Sequence, residues 1–150
     1  MMTQEKIEAA AVAYLEAKLA ADTTVTGVVD FVVHPSRSQE TPPEDRSMIV
    51  VMCGELRNFR QRTQDAVVSV FVSSPADVDG VTLESHGLLT AAVSKAWDHG
   101  STNWSAWASA VAAVDAEWTG GNFHRDGWNN GREDTRWLPA LDVLVGAVLV

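Results

Sequence analysis

Residues 67–73 constrain the fold more than any other stretch. They read Val-Val-Ser-Val-Phe-Val-Ser, dense in β-branched and aromatic side chains. In a strand Val68, Val70 and Val72 point to one face, and Val67, Ser69, Phe71 and Ser73 to the other. Ser74-Pro75 ends the strand, because proline has no N–H for a ladder. A helix over about residues 79–98 follows, with caps on offer at Asp79 or Thr82. Leu88, Leu89, Ala92, Val93, Ala96 and Trp97 form its apolar stripe. A sheet with an apolar face needs such a helix to cover it, so the pair predicts an α+β fold.

The rest of the chain extends this plan. Thr3 can cap a helix over residues 4–21 whose stripe is Ile7, Ala11, Tyr14, Leu15 and Leu19, with Glu8, Glu16 and Lys18 largely off it. Residues 25–34 read as a strand closed by Pro35. Residues 34–46 read as a polar loop stiffened by Pro42-Pro43, either a connector or a segment that docks on a neighbouring subunit. Residues 48–53 form the next strand, and residues 54–65 cross to the strand at 67. Residues 103–110 suit a short helix. Residues 111–119 are ambiguous, and the following Gly120-Gly121 favours strand. Residues 120–136 lack an apolar period and read as a long hairpin loop. Residues 137–150 form a final strand with two apolar faces, as expected of a strand buried on both sides, by helices and by another subunit. The expected fold is a single 150-residue α+β domain. One mostly antiparallel sheet carries an N-terminal helix and a second long helix.

Composition narrows function by exclusion. With 20 acidic and 11 basic residues the net charge is −9. That argues against a sequence-specific DNA binder, though not against a wall past which DNA slides. Cys53 is the only cysteine, so no intramolecular disulfide exists, and its apolar strand predicts a buried, inert thiol. No apolar run reaches the ~20 residues of a membrane span, and the charged first twenty residues do not read as a signal peptide. The G-x-S-x-G, G-x-G-x-x-G, H-E-x-x-H and phosphate-loop patterns are missing, and the four histidines are dispersed. No catalytic, cofactor-binding or metal-ligating set is expected. His86 reads as a core-edge histidine. His124, with Asp126 in a glycine-rich segment, is the nearest approach to a catalytic pair.

Two segments are candidates for contact. Arg57, Arg60 and Arg62 surround Phe59, the most basic stretch of an acidic chain. It is either a solvated hairpin tip or a surface that pairs with acid on a partner. Six tryptophans is high for this length, and five fall between residues 97 and 128. Trp104, Trp107 and Trp128 are candidates for subunit contact, with core packing as the alternative.

Three patterns together carry a resemblance. They are the apolar run Ile49-Val50-Val51-Met52-Cys53 with the strand at 67–73; Ser85-His86-Gly87-Leu88-Leu89 leading to Trp97; and Arg132-Glu133-Asp134-Thr135-Arg136-Trp137 before a C-terminal strand. In order and spacing, over nearly the whole chain, this resembles the tail terminator and neck proteins of tailed bacteriophages. Residues 100–136 are longer and richer in tryptophan than that pattern. The resemblance implies a non-enzymatic virion protein without cofactors, made in the host bacterial cytoplasm. It implies a homo-oligomeric ring, commonly a hexamer, on the head-proximal end of the tail tube. Such a ring ends tube polymerisation and meets a neck or head-completion protein, and DNA passes through its lumen without sequence recognition. The alternatives are another head–tail connector component, such as a stopper, or a small ligand-binding module or enzyme.

Overall fold

A computed structural model describes the backbone except at residues 61, 76–80, 130–131, 134–135 and 138–139. The side chains of residues 58–60, 81–83, 127–129, 132–133, 136–137 and 140 also lie outside the described set. The expected caps at Asp79 and Thr82, and the side chains of Phe59, Arg60, Trp128 and Trp137, therefore fall outside it.

Helix α1 (Gln4–Ala21) begins where Thr3 Oγ1 accepts from the Lys6 N–H at 3.2 Å. Its stripe Ile7, Ala11, Tyr14, Leu15 and Leu19 is buried. The expected long strand over 25–34 is shortened to β1 (Phe31–Pro35). Asp22 is the cause. Its side chain accepts from the Thr24 N–H at 3.0 Å and its carbonyl from the Val25 N–H at 3.2 Å, which winds residues 22–29 into turns. Gly27, at φ 77°, takes the left-handed position those turns require. Val25 and Val29 still reach the core, but from a turn.

The sheet is built on β4 (Thr63–Pro75). Strand β2 (Ser47–Cys53) lies antiparallel to it, with Cys53 opposite Val68 and Val51 opposite Val70. β1 adds to β2 in parallel, at one side of the sheet. The expected crossover at 54–65 contains β3 (Arg57–Arg60), hairpinned onto the start of β4. β9 (Ala140–Leu149) pairs antiparallel with β4 from Thr63 to Phe71. The sheet is thus mostly antiparallel, and one layer of helices packs on it.

Two readings of the tryptophan-rich region change. α2 (Val81–Ala96) is followed by α3 (Ser101–Val114), so residues 111–114 are helix and only β5 (Trp118–Gly120) is strand. Trp107 and Val111, one turn apart, are both wholly buried; that side-chain pair holds the helix through the alanines. Residues 120–136 are not one loop, because β6 (His124–Asn129) pairs with β9, and the short strands β7 (Arg132–Glu133) and β8 (Arg136–Trp137) form a hairpin. An edge strand needs backbone partners more than an apolar period, which is why composition hid β6.

The two faces of the sheet differ. Val68, Val70, Val72, Leu141, Val143, Val145 and Ala147 are buried beneath the helices. Burial of each valine or leucine is worth about 1.5–3 kcal/mol. The opposite face is open. Val67 and Leu144, partners across the β4–β9 ladder, are 44% and 49% exposed, and Met52 and Val148 are exposed beside them. β9 is therefore buried on one face within this chain, not on both.

Candidate assembly surfaces

The basic hairpin leaves β2 at Gly54. The Gly54 N–H donates to the Val67 carbonyl at 2.9 Å, and Gln4 Nε2 donates to the Gly54 carbonyl at 2.8 Å. Past this anchor, β3 bonds to β4, with Arg57 opposite Asp65 and Arg60 opposite Thr63. The Leu149 N–H donates to the Arg62 carbonyl at 2.8 Å, which fixes the return of the hairpin. Arg57 and Arg62 are exposed and make no ion pair with the described residues. A groove of about 360 Å³ opens beside Arg57, and Val67, Leu144, Glu55 and Asp65 also line it.

The tryptophan candidates divide. Trp107 is wholly buried, so it is a core residue and offers nothing to a partner. Its ring packs edge-on against Tyr14 (5.9 Å) and Trp97 (5.8 Å), and its Nε1–H donates to the Gly146 carbonyl at 3.3 Å. Tyr14 packs against Trp97 as well and donates its hydroxyl to the Ala96 carbonyl. Burial pushes the Tyr14 hydroxyl pKa up. Trp104 is half-buried, with its Nε1–H on the Phe123 carbonyl at 3.1 Å, so only part of its ring faces outward. Trp128 sits opposite Leu141 at the backbone level.

Several polar arrangements were not visible in the sequence. Glu8, off the apolar stripe of α1, is nonetheless 2% exposed. Its carboxylate accepts from Arg37 Nε at 3.0 Å and from the Cys53 N–H at 3.1 Å, with the Arg37 N–H and Ser36 Oγ at 3.4 Å. One buried side chain thus ties α1 to the end of β2 and to the turn after β1. Burial, and then the Glu8 charge, push the Cys53 thiol up to about 11, with Arg37 opposing, so this cysteine is a poor nucleophile. Ser47 Oγ, Ser74 Oγ and His86 Nδ1 form a second buried chain, with links of 2.7 and 2.6 Å. Desolvation holds the His86 pKa below its usual value. These partners are distant in sequence and carry no fixed spacing, so only the fold brings them together.

The His124–Asp126 candidate lies on β6. His124 lies 4.6 Å from His99, ring to ring, and Arg125 pairs with Asp98 at 2.8 Å. Among the described residues no group of three or more His, Cys, Asp or Glu is placed to hold a metal ion. Among them, too, no helix is long and apolar enough to cross a membrane. No protein-family model and no curated protein matches the chain.

Proposed function

We propose that this chain is a non-enzymatic structural protein of a tailed-phage virion. In this reading it closes into a ring, commonly of six copies, on the head-proximal end of the tail tube. The ring ends tube growth and presents a surface to a neck or head-completion protein, with DNA passing through its lumen. The observation that carries the reading is the open face of the sheet. Val67, Leu144, Met52 and Val148 expose apolar surface on rigid, paired strands, where a small soluble domain gains most from covering it. Apolar burial yields about 25 cal/mol per Å². Unlike surfaces meeting head to tail propagate until rotation closes them into a ring. The net charge of −9 suits a lumen that must let DNA slide without gripping it.

The test is tube capping. Tail-tube protein is polymerised with and without this chain, and tube lengths and ends are scored in micrographs. The reading expects shorter tubes with density on one end. Tubes of unchanged length with bare ends, at saturating concentrations of this chain, contradict it.

A further inference from the structure

We propose, building on the ring reading, that the β3 hairpin of one copy adds to the free edge of β1 in the next. Among the described residues β1 hydrogen-bonds to β2 alone, so its other edge presents unpaired backbone groups. Natural sheets guard such edges with charge, bulges or a covering element. β1 reads Phe-Val-Val-His-Pro and carries no Lys, Arg, Asp or Glu. Two adjoining hollows of about 510 and 360 Å³ flank it, between the strand and the outer side of α1. Phe31, Val33 and Val12 supply apolar lining there. An extended segment fits such a place by β-strand addition.

Charge selects the occupant. Glu5 and Glu16 line these hollows, are exposed, and make no ion pair among the described residues. Arg37, the cation nearby, is engaged by Glu8. The surface beside β1 is therefore acidic. Pairing β1 with β1 of a second copy would set acid against acid. Among the described residues β3, β5 and β6 each pair on one side only, β3 with β4 beyond the end of β2 and the other two with β9. Charge separates them: β5 carries no cation and Arg125 of β6 is paired with Asp98, whereas Arg57 of β3 makes no ion pair among the described residues. Residues 54–65 hold three arginines (Arg57, Arg60 and Arg62) against two acids (Glu55 and Asp65), a net charge of +1 in a chain of net charge −9. Within one copy β3 is held by its register on β4, so the acceptor is another copy. Because the two edges differ, the contact is heterologous, which is the kind that builds rings. Backbone pairing supplies the geometry, and the charges set register and orientation.

The experiment is a charge swap read by light scattering and by hydrogen exchange of wild-type assemblies. R57E/R62E sets acid against the acidic rim, and E5K/E16K sets base against the basic hairpin. Each change is on an exposed residue, and thermal melts check that each monomer folds. Each variant alone is expected to need more than roughly tenfold higher concentration to assemble, because juxtaposed like charges oppose docking. The chain carrying all four changes is expected to assemble as wild type does. Amides of Phe31–Pro35 and Arg57–Arg60 are expected to gain protection on assembly. Rings from R57E/R62E at wild-type concentration, with β1 exchange unchanged, overturn this contact and leave the ring standing. Charge-dependent assembly with β1 protection, but into open filaments, keeps the contact and overturns the ring. A wild-type chain that stays monomeric at every concentration overturns both.

Discussion

Replacing Glu8 by alanine tests how this fold is held together. The carboxylate is buried, yet it joins three elements: α1, the turn at residues 36–38 and the last residue of β2. Hydrogen bonds to a charged group contribute about 1.5–3 kcal/mol each. Arg37 Nε and the Cys53 N–H are the two good ones, at 3.0 and 3.1 Å; the contacts at 3.4 Å add little. Arg37 is 43% exposed and can return to water, which lowers the loss on its side. The Cys53 N–H is enclosed and loses its partner, at a further cost of about 1–3 kcal/mol. Alanine's better helix propensity returns only a few tenths of a kcal/mol. The net expectation is a loss of about 3 kcal/mol, roughly 6–12 °C in melting temperature for a domain of this size. Glu8→Gln keeps an acceptor and loses the charge, so it falls between. Glu16→Ala, exposed on the same helix, stays within about 0.5 kcal/mol. The assay is thermal and denaturant unfolding of the three variants beside wild type. A Glu8→Ala chain as stable as Glu16→Ala would show that the buried carboxylate repays no more than its own desolvation.

Two further predictions follow from packing and burial. A Cβ on Gly120 would lie 2.5 Å from Trp107 Cδ1 and 2.9 Å from the Trp107 carbonyl, so Gly120→Ala displaces backbone and costs about 1–3 kcal/mol by chemical denaturation; an unchanged midpoint contradicts the packing. His86 has a lowered folded-state pKa, so the unfolded chain takes up its proton first as pH falls below about 6.5. Its contribution is present above that pH and is lost on acidification. The stability difference between pH 7.5 and pH 5.0 should therefore shrink in His86→Gln, and an equal difference in both chains would refute it.

What the sequence disclosed follows its periodicities. Val68, Val70 and Val72 alternate, and the stripe of α1 repeats every three to four residues; both sets are buried where the pattern puts them. Short strands escaped because ladder partners, not their own side chains, define them. β6 is the clear case: His124 faces Leu144 and Arg125 faces Val143 on a strand that supplies the apolar content itself. The turns at residues 22–29 escaped because one aspartate overrode a run of β-formers. Of the contact candidates, the exposure of Arg57 and Arg62 agrees with a hairpin tip, while Trp107 was legible as apolar and not as core or surface. Glu8 was illegible because a charged residue beside an apolar stripe ordinarily faces water, and only the neighbouring Arg37 and Cys53 N–H make its burial tolerable.

Ring closure is tested by class-averaged electron micrographs of the purified protein, with its mass measured in solution. Closed rings with a central hole and a mass about six times the 16.2 kDa subunit are expected. A uniform population of 16.2 kDa particles without a hole, at every concentration and with tail tubes present, would contradict it.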